Sequence, residues 1–238
     1  MLTLAIDSTA KIASCAVLRD GRALASFNID NGLTQSELLL PMVTDMLKRL
    51  KLSFDDIELV AVSVGPGSFT GVRIGVSLVK GLAFGTDIPI SPVSTLEALA
   101  YNLYGLDGIY VAVMDARRDQ VYSAVFEKDG ERLKRLTEDD AISLDELYEI
   151  LKDYSQRPIY LVGDGYDKSY RALCERGLSL ENTPPLLRLE SAVSVGRVGE
   201  IMRDEGRVTN DKILSPTYLR LPQAERERNE RLKDHKKK

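Results

Sequence analysis

Residues 59–75, LVAVSVGPGSFTGVRIG, hold the densest set of groups able to bind a charged ligand. A β-branched run ends at Gly65-Pro66-Gly67, a polar turn with Ser68 and Thr70 follows, and an apolar helical pattern starts at Gly71. A glycine loop leading from a strand into a helix N-terminus offers backbone N–H groups to an anion. The same spacing also makes a tight strand-to-helix turn whose glycines serve packing alone. No Gly-Lys-Ser/Thr follows, so this is not a Walker loop, and it is not G-x-G-x-x-G. Ser68 and Thr70 either cap the helix or line a nucleotide site. Two aspartates, Asp7 and Asp115, each close an apolar run; Ser8 and Thr9 follow the first, Ala116, Arg117 and Arg118 the second. Small or hydroxyl residues after such an aspartate leave room for phosphate, whereas two arginines fill it. Arg117 is expected to pair with Asp115, or with Asp7 across a cleft.

Composition narrows the chemistry. The 238-residue chain is 44% hydrophobic and 29% charged, with a net charge of −4, which argues against a strongly basic nucleic-acid surface. Its single histidine, His235, lies in a charged tail, and no Cys-x-x-Cys pair exists. A His-x-x-x-His zinc pair and a Ser-His-Asp triad therefore cannot be built, and no metal or cofactor held by this chain alone is expected. Cys15 and Cys174 sit in apolar patterns and read as small core residues. No apolar run approaches membrane-spanning length and no leader precedes Leu2, so the expected location is the reducing cytoplasm.

The elements that must position these residues fall into two similar series. Strands are expected at 2–7, 13–19 and 23–30, with Asp20-Gly21 as the hairpin turn between the last two. A helix at 34–50 opens with a Thr34/Glu37 capping box. A strand at 59–64, a helix at 70–84, a strand at 88–93 and a helix beginning at Ser94 complete the first series. The second has strands at 109–115, 120–127 and 133–137, a helix at 143–154, a strand at 158–162, and helices at 169–175 and 192–205. Residues 182–189 read as a loop leading to a short strand. The expected division is a lobe at 1–104, a second at 105–221 and a tail at 222–238. From Gln223 that tail carries seven Lys/Arg against four Asp/Glu, net +3, and reads as solvated, with weak contact to RNA as its functional alternative.

Two helices carry more apolar surface than one sheet needs. Leu39, Met42, Val43, Met46, Leu47 and Leu50 make a stripe on the first, with Leu38 and Leu40 at its margins. On the second, Gly71, Gly75, Leu78 and Leu82 share a face beside Val72, Val76, Val79 and Ala83. Side by side, such helices have apolar area left over for a partner's pair. The alternative is that the chain's own core consumes both stripes.

Paired β-β-β-α-β-α lobes with an aspartate ending each first strand resemble the actin, sugar-kinase and heat-shock ATPase superfamily, an α/β, ribonuclease H-like fold. The segments LAIDST (4–9), LLLPMV (38–43), VGPGSFTGVRIG (64–75), KGLAF (80–84), VSTLEALA (93–100), VMDARRDQVY (113–122) and PTYLR (216–220) resemble more closely the TsaB family, also called YeaZ. That resemblance implies a non-catalytic partner of TsaD, which transfers a threonylcarbamoyl group to adenosine next to the tRNA anticodon; the ATPase TsaE also joins. It implies that TsaD, or a second copy of the chain, docks through the two helices. It also leaves a degenerate or partner-shared nucleotide site at Asp7, Ser8, Thr9, Gly65, Gly67, Ser68, Thr70, Asp115 and Arg117. Aligned on Pro41, many relatives carry histidine where this chain has Gln35, so no ligand role remains at that helix start. The competing functions are a stand-alone kinase or ATPase of the superfamily, slightly favoured by Asp7, and a metallopeptidase, disfavoured by the missing histidines.

Overall fold

The computed structural model describes residues 1–117, 120–130 and 132–220. The first series folds as β1 (Leu2–Asp7), β2 (Ala13–Arg19), β3 (Arg22–Ile29), α1 (Gln35–Leu50), β4 (Leu59–Gly65), α2 (Phe69–Ala83), β5 (Ile90–Ser94) and α3 (Thr95–Tyr101). The second comprises β6 (Ile109–Asp115), β7 (Gln120–Asp129), β8 (Arg132–Arg135), β9 (Asp140–Ser143), α4 (Leu144–Leu151), β10 (Ile159–Val162), α5 (Tyr166–Glu175) and α6 (Ala192–Asp204). One sheet has the order β3-β2-β1-β4-β5; the other runs β10-β6-β7-β8, with β9 also on β7. In each, the first strand is antiparallel to its hairpin partner and parallel to the later strand, as β1 is to β2 and β4, and β6 to β7 and β10. This repeated order is the actin-like, ribonuclease H-like plan.

Local chemistry sets the element ends. Glu37 Oε2 accepts the Thr34 N–H (2.9 Å) at the start of α1, and Lys51, in the left-handed region at φ 56°, closes its C-terminus. Ser94 and Ser143 accept the N–H groups of Glu97 and Glu146, starting α3 and α4. Strand β4 is buried throughout, as a central strand covered on both faces must be. One face of its sheet offers Leu4, Ile6, Val60 and Val62 to Leu39, Met46, Val76 and Val79 of α1 and α2.

The opposite face is lined by Ala5, Ala16 and Ala61, and α6 lies on it through Ala192, Val195 and Val198. Its glycines make the approach possible: a Cβ on Gly199 would stand 2.4 Å from the Ala61 Cβ. Helix α3 crosses the other way, packing Leu96 and Leu99, with Leu103 just past its end, against Tyr110, Ala112 and Phe126 of the second sheet. The last helix of each series thus covers the sheet of the other, which a boundary at residue 104 does not convey. Three further differences from expectation are local. β9 adds a short strand on β7; a 3-10 turn at Pro185–Leu187 replaces the strand expected near 189; α5 begins at Tyr166 rather than Ser169. Among the described residues, no helix is long and apolar enough to cross a membrane. The tail at 222–238 and Arg118 lie outside the described residues.

Candidate functional site

The C-terminal ends of β1, β4 and β6 meet around a cleft of about 590 Å³ between the lobes. Thr9, Lys11, Gly67, Ser68 and Thr70 line it from the first lobe, and Asp115, Arg117 and Asp164 from the second. Asp7 does not line it. Its carboxylate is 1% exposed, and Oδ1 accepts the Thr9 N–H (2.8 Å) and Thr9 Oγ1 (2.7 Å) while Oδ2 accepts Ser63 Oγ (2.6 Å). Burial raises its pKa against the pull of these donors. Pairing of Arg117 with Asp7 is therefore excluded, because the carboxylate is sealed and already supplied with donors. Arg117 meets Asp115 through its backbone N–H, which donates to Asp115 Oδ1 (3.0 Å), with φ 62° at Arg117. The Lys168 ammonium lies 3.6 Å from the same oxygen. Asp164 Oδ1 accepts the Asp115 N–H (3.0 Å), a contact between residues 49 positions apart that spacing along the chain does not reveal.

The glycine loop is shaped by two backbone crossings. Gly65 (φ 117°) faces the Thr217 carbonyl and Gly67 (φ 158°) the Thr9 carbonyl, which would lie 2.5 and 2.4 Å from an added Cβ. Ser68 N–H donates to that Thr9 carbonyl (2.6 Å), and Ser68 Oγ accepts the Gly71 N–H (3.3 Å) as the α2 N-cap. Both observations belong to the packing alternative for this loop. Ser8 is buried beneath it, its Oγ donating to the Gly71 carbonyl (2.8 Å). Among the described residues, no group of three His, Cys, Asp or Glu is placed to hold a metal ion.

The predicted seam separates into an inner and an outer half. Leu39, Met42, Val43, Met46 and Leu47 are buried in the first lobe's own core, and Leu50, Leu78 and Leu82 are partly buried against it. Gly71 and Gly75 face Ser8, not the outside, so their close approach is to the chain's own β1–β2 turn. What remains outward is a groove of about 600 Å³ between α1 and α2, formed by Leu40, Ile74 and Leu78 with Ser36, Arg73 and Ser77. Leu40 is 50% exposed, and Phe84, just beyond α2, 80%. Gln35 donates Nε2 to the Ala10 and Lys11 carbonyls (3.0 and 3.1 Å), tying the α1 start to the cleft loop.

Cleft and groove share a wall, because Phe69 and Thr70 line both. The segment 216–220 braces that wall. Thr217 N–H donates to the Val64 carbonyl (2.7 Å), Tyr218 stacks on Phe69 with centroids 4.6 Å apart, and Arg73 Nε donates to the Tyr218 hydroxyl (2.8 Å). Arg220 then donates to the Ala116 carbonyl (2.7 Å) in the second lobe.

Sequence comparison decides the family. The chain is 33% identical to the tRNA threonylcarbamoyladenosine biosynthesis protein TsaB of Bacillus subtilis, covering 94% of this chain and 96% of that one. The chain belongs to the TsaB family. Escherichia coli TsaB is also 33% identical, over 92% of this chain and 95% of its own. Among solved structures, YeaZ from Pseudomonas aeruginosa is similar with a TM-score of 0.75 at 25% identity, covering 92% of this chain and 99% of that chain. The family described as TsaD, tRNA N6-adenosine threonylcarbamoyltransferase, matches residues 34–171. The matched stretch of this chain runs from the start of α1 into α5 and includes the groove and the glycine loop.

Proposed function

We propose that this chain is a non-catalytic docking subunit in the synthesis of threonylcarbamoyladenosine next to the tRNA anticodon. It binds TsaD through the α1–α2 face, TsaE joins the assembly, and tRNA is engaged through those partners rather than directly. Without TsaD the same face pairs two copies of the chain. Its place is the cytoplasm, with no membrane partner and no metal or cofactor of its own.

The observation that carries this reading is the contrast between the two surfaces. Asp7, the carboxylate that would serve phosphoryl chemistry in the cleft, is turned into the fold and held by Thr9 and Ser63. The groove, by contrast, leaves Leu40 half-exposed beside Ile74 and Leu78 on a lobe whose core is already filled. An apolar seam flanked by Ser36, Ser77 and Arg73 has the make-up of a partner site: apolar centre, polar rim. The shared Phe69–Thr70 wall gives a docked partner contact with the cleft mouth, so a nucleotide held between the two chains fits this reading.

A stand-alone kinase or ATPase remains the second reading, favoured by the size of the cleft and by Lys11 and Thr9 at its wall. Nucleotide turnover by the purified chain, alone and then with TsaD and TsaE, separates the two. The docking reading expects no turnover alone and a stable complex with TsaD. Turnover by the lone chain would replace it with the kinase reading.

A further inference from the structure

The segment leading from the second lobe into α6 carries one buried carboxylate within electrostatic reach of two others. Gly163 N–H donates to the Arg188 carbonyl (2.7 Å), anchoring the start of this segment beside Asp164. Ala192 N–H donates to Ser14 Oγ (2.8 Å), and Ser14 is the register partner of Asp7. Glu190 lies between these anchors. It is 5% exposed, and its Oε1 has no hydrogen-bond partner. The charges acting on it are Asp7 from the first lobe and Asp164 from the second, both of its own sign.

The three carboxylates are unequally supplied. Asp7 accepts three hydrogen bonds from Thr9 and Ser63. Asp164 accepts the Asp115 N–H, feels Lys11 as well as Asp115, and opens on the cleft. Lys168 is turned to Asp115 (3.6 Å), and the Arg188 guanidinium lies over the Tyr166 ring (3.7 Å). Glu190 has the support of its own backbone N–H. A buried carboxyl with so little to stabilise its charge, and within reach of two others, is the member of the cluster that keeps its proton.

We propose that Glu190 is a proton-held latch between the lobes: as the neutral acid it lets residues 188–192 lie across the junction, and its ionisation loosens that segment and the first turn of α6 from the first sheet. Burial, then repulsion by Asp7 and Asp164, pushes its carboxyl up to about 8. The folded chain therefore holds a proton that the unfolded chain, with an ordinary carboxyl at 4.5, has released. Stability from this group is complete below that lower value and is lost as pH rises through the folded one.

The test is a carboxyl titration of the full chain by infrared or carbon NMR between about pH 6 and about pH 10, combined with native amide exchange. The expected result is one carboxyl titrating near pH 8 that disappears in Glu190→Gln. After correction for intrinsic chemistry, opening of amides at 188–195 in the wild type rises about tenfold per pH unit between about pH 6 and that midpoint and levels off above it, while Glu190→Gln stays flat. A wild type with no carboxyl titrating in this range overturns the proposal, as does a Glu190→Gln chain that keeps the pH dependence. Should the variant fail to fold, carbon NMR with the carboxyl resonance assigned to Glu190 through its own side chain decides on the wild type: Glu190 neutral at about pH 6 and titrating near pH 8 supports the proposal, and Glu190 already ionised at about pH 6 overturns it.

Discussion

Gly71 rests on the backbone of Ser8: a Cβ added to Gly71 would stand 2.0 Å from the Ser8 carbonyl oxygen, and Ser8 Oγ donates back to the Gly71 carbonyl. The start of α2 is thereby laid directly over the turn that follows Asp7. Gly71→Ala drives a methyl into main chain that cannot step aside, and the expected loss is about 3 kcal/mol. Gly75→Ala meets only the Ser8 Oγ at 2.4 Å, a hydroxyl that can rotate. Its better helix propensity offsets most of the lost hydrogen bond, leaving a change within about 1 kcal/mol. Urea unfolding of the two variants checks the difference; equal effects would contradict the stated contact.

The outer and inner halves of the helix pair give opposite outcomes for the same chemical change. Leu40→Glu adds a charge to a half-exposed position, so stability changes by about 0.5 kcal/mol or less. Partner binding is expected to weaken about 30-fold, the loss of a central apolar contact of about 2 kcal/mol. Met46→Glu puts a carboxylate at a fully buried position of the first lobe's core. It is expected to cost about 4 kcal/mol or more and to leave little folded protein. Thermal denaturation alongside a pull-down with TsaD distinguishes the two.

Arg135 ties β8 to α3. It reaches the Glu97 carboxylate (3.1 Å) and pairs with Asp139, and its guanidinium lies 4.6 Å from the Phe126 ring centre. Lysine offers a point charge in place of this planar fork, so Arg135→Lys is expected to cost about 1–2 kcal/mol. Because α3 packs on the second sheet, the effect should appear as faster amide exchange in 95–101 before the first lobe opens. Exchange unchanged in α3 would remove the assigned role.

The cysteines report opening separately. Cys15 is buried in β2, and burial pushes its thiol up to about 12, whereas Cys174 is partly accessible. A thiol reagent near pH 8 should label Cys174 in the folded chain and reach Cys15 only when the first lobe unfolds. Rapid labelling of Cys15 under native conditions would contradict the sealed core.

Strand limits, hairpin turns and helix caps were legible because they are set by neighbours in the chain. The run 59–64 and the Thr34/Glu37 box needed no knowledge of the rest of the fold. The exchange of α3 and α6 was not legible, since a helical stripe does not say which sheet will cover it. Gly196 and Gly199, in VSVGRVGE, were the available sign of a close approach to an alanine-lined face. The groove escaped for a similar reason: a helical wheel gives the width of an apolar arc, not which half the chain's own sheet consumes. The sealing of Asp7 did leave a trace. Ser63 is a hydroxyl in an otherwise apolar buried strand, and the β1–β4 register, with Ile6 opposite Val62, brings it next to Asp7.

The most direct test of the docking account is threonylcarbamoyl transfer to tRNA by TsaD and TsaE, reconstituted with three forms of this chain: wild type, Asp7→Asn and Leu40→Glu. The account predicts near wild-type transfer with Asp7→Asn and its loss with a folded Leu40→Glu chain. Loss with a folded Asp7→Asn chain and full transfer with Leu40→Glu would contradict it.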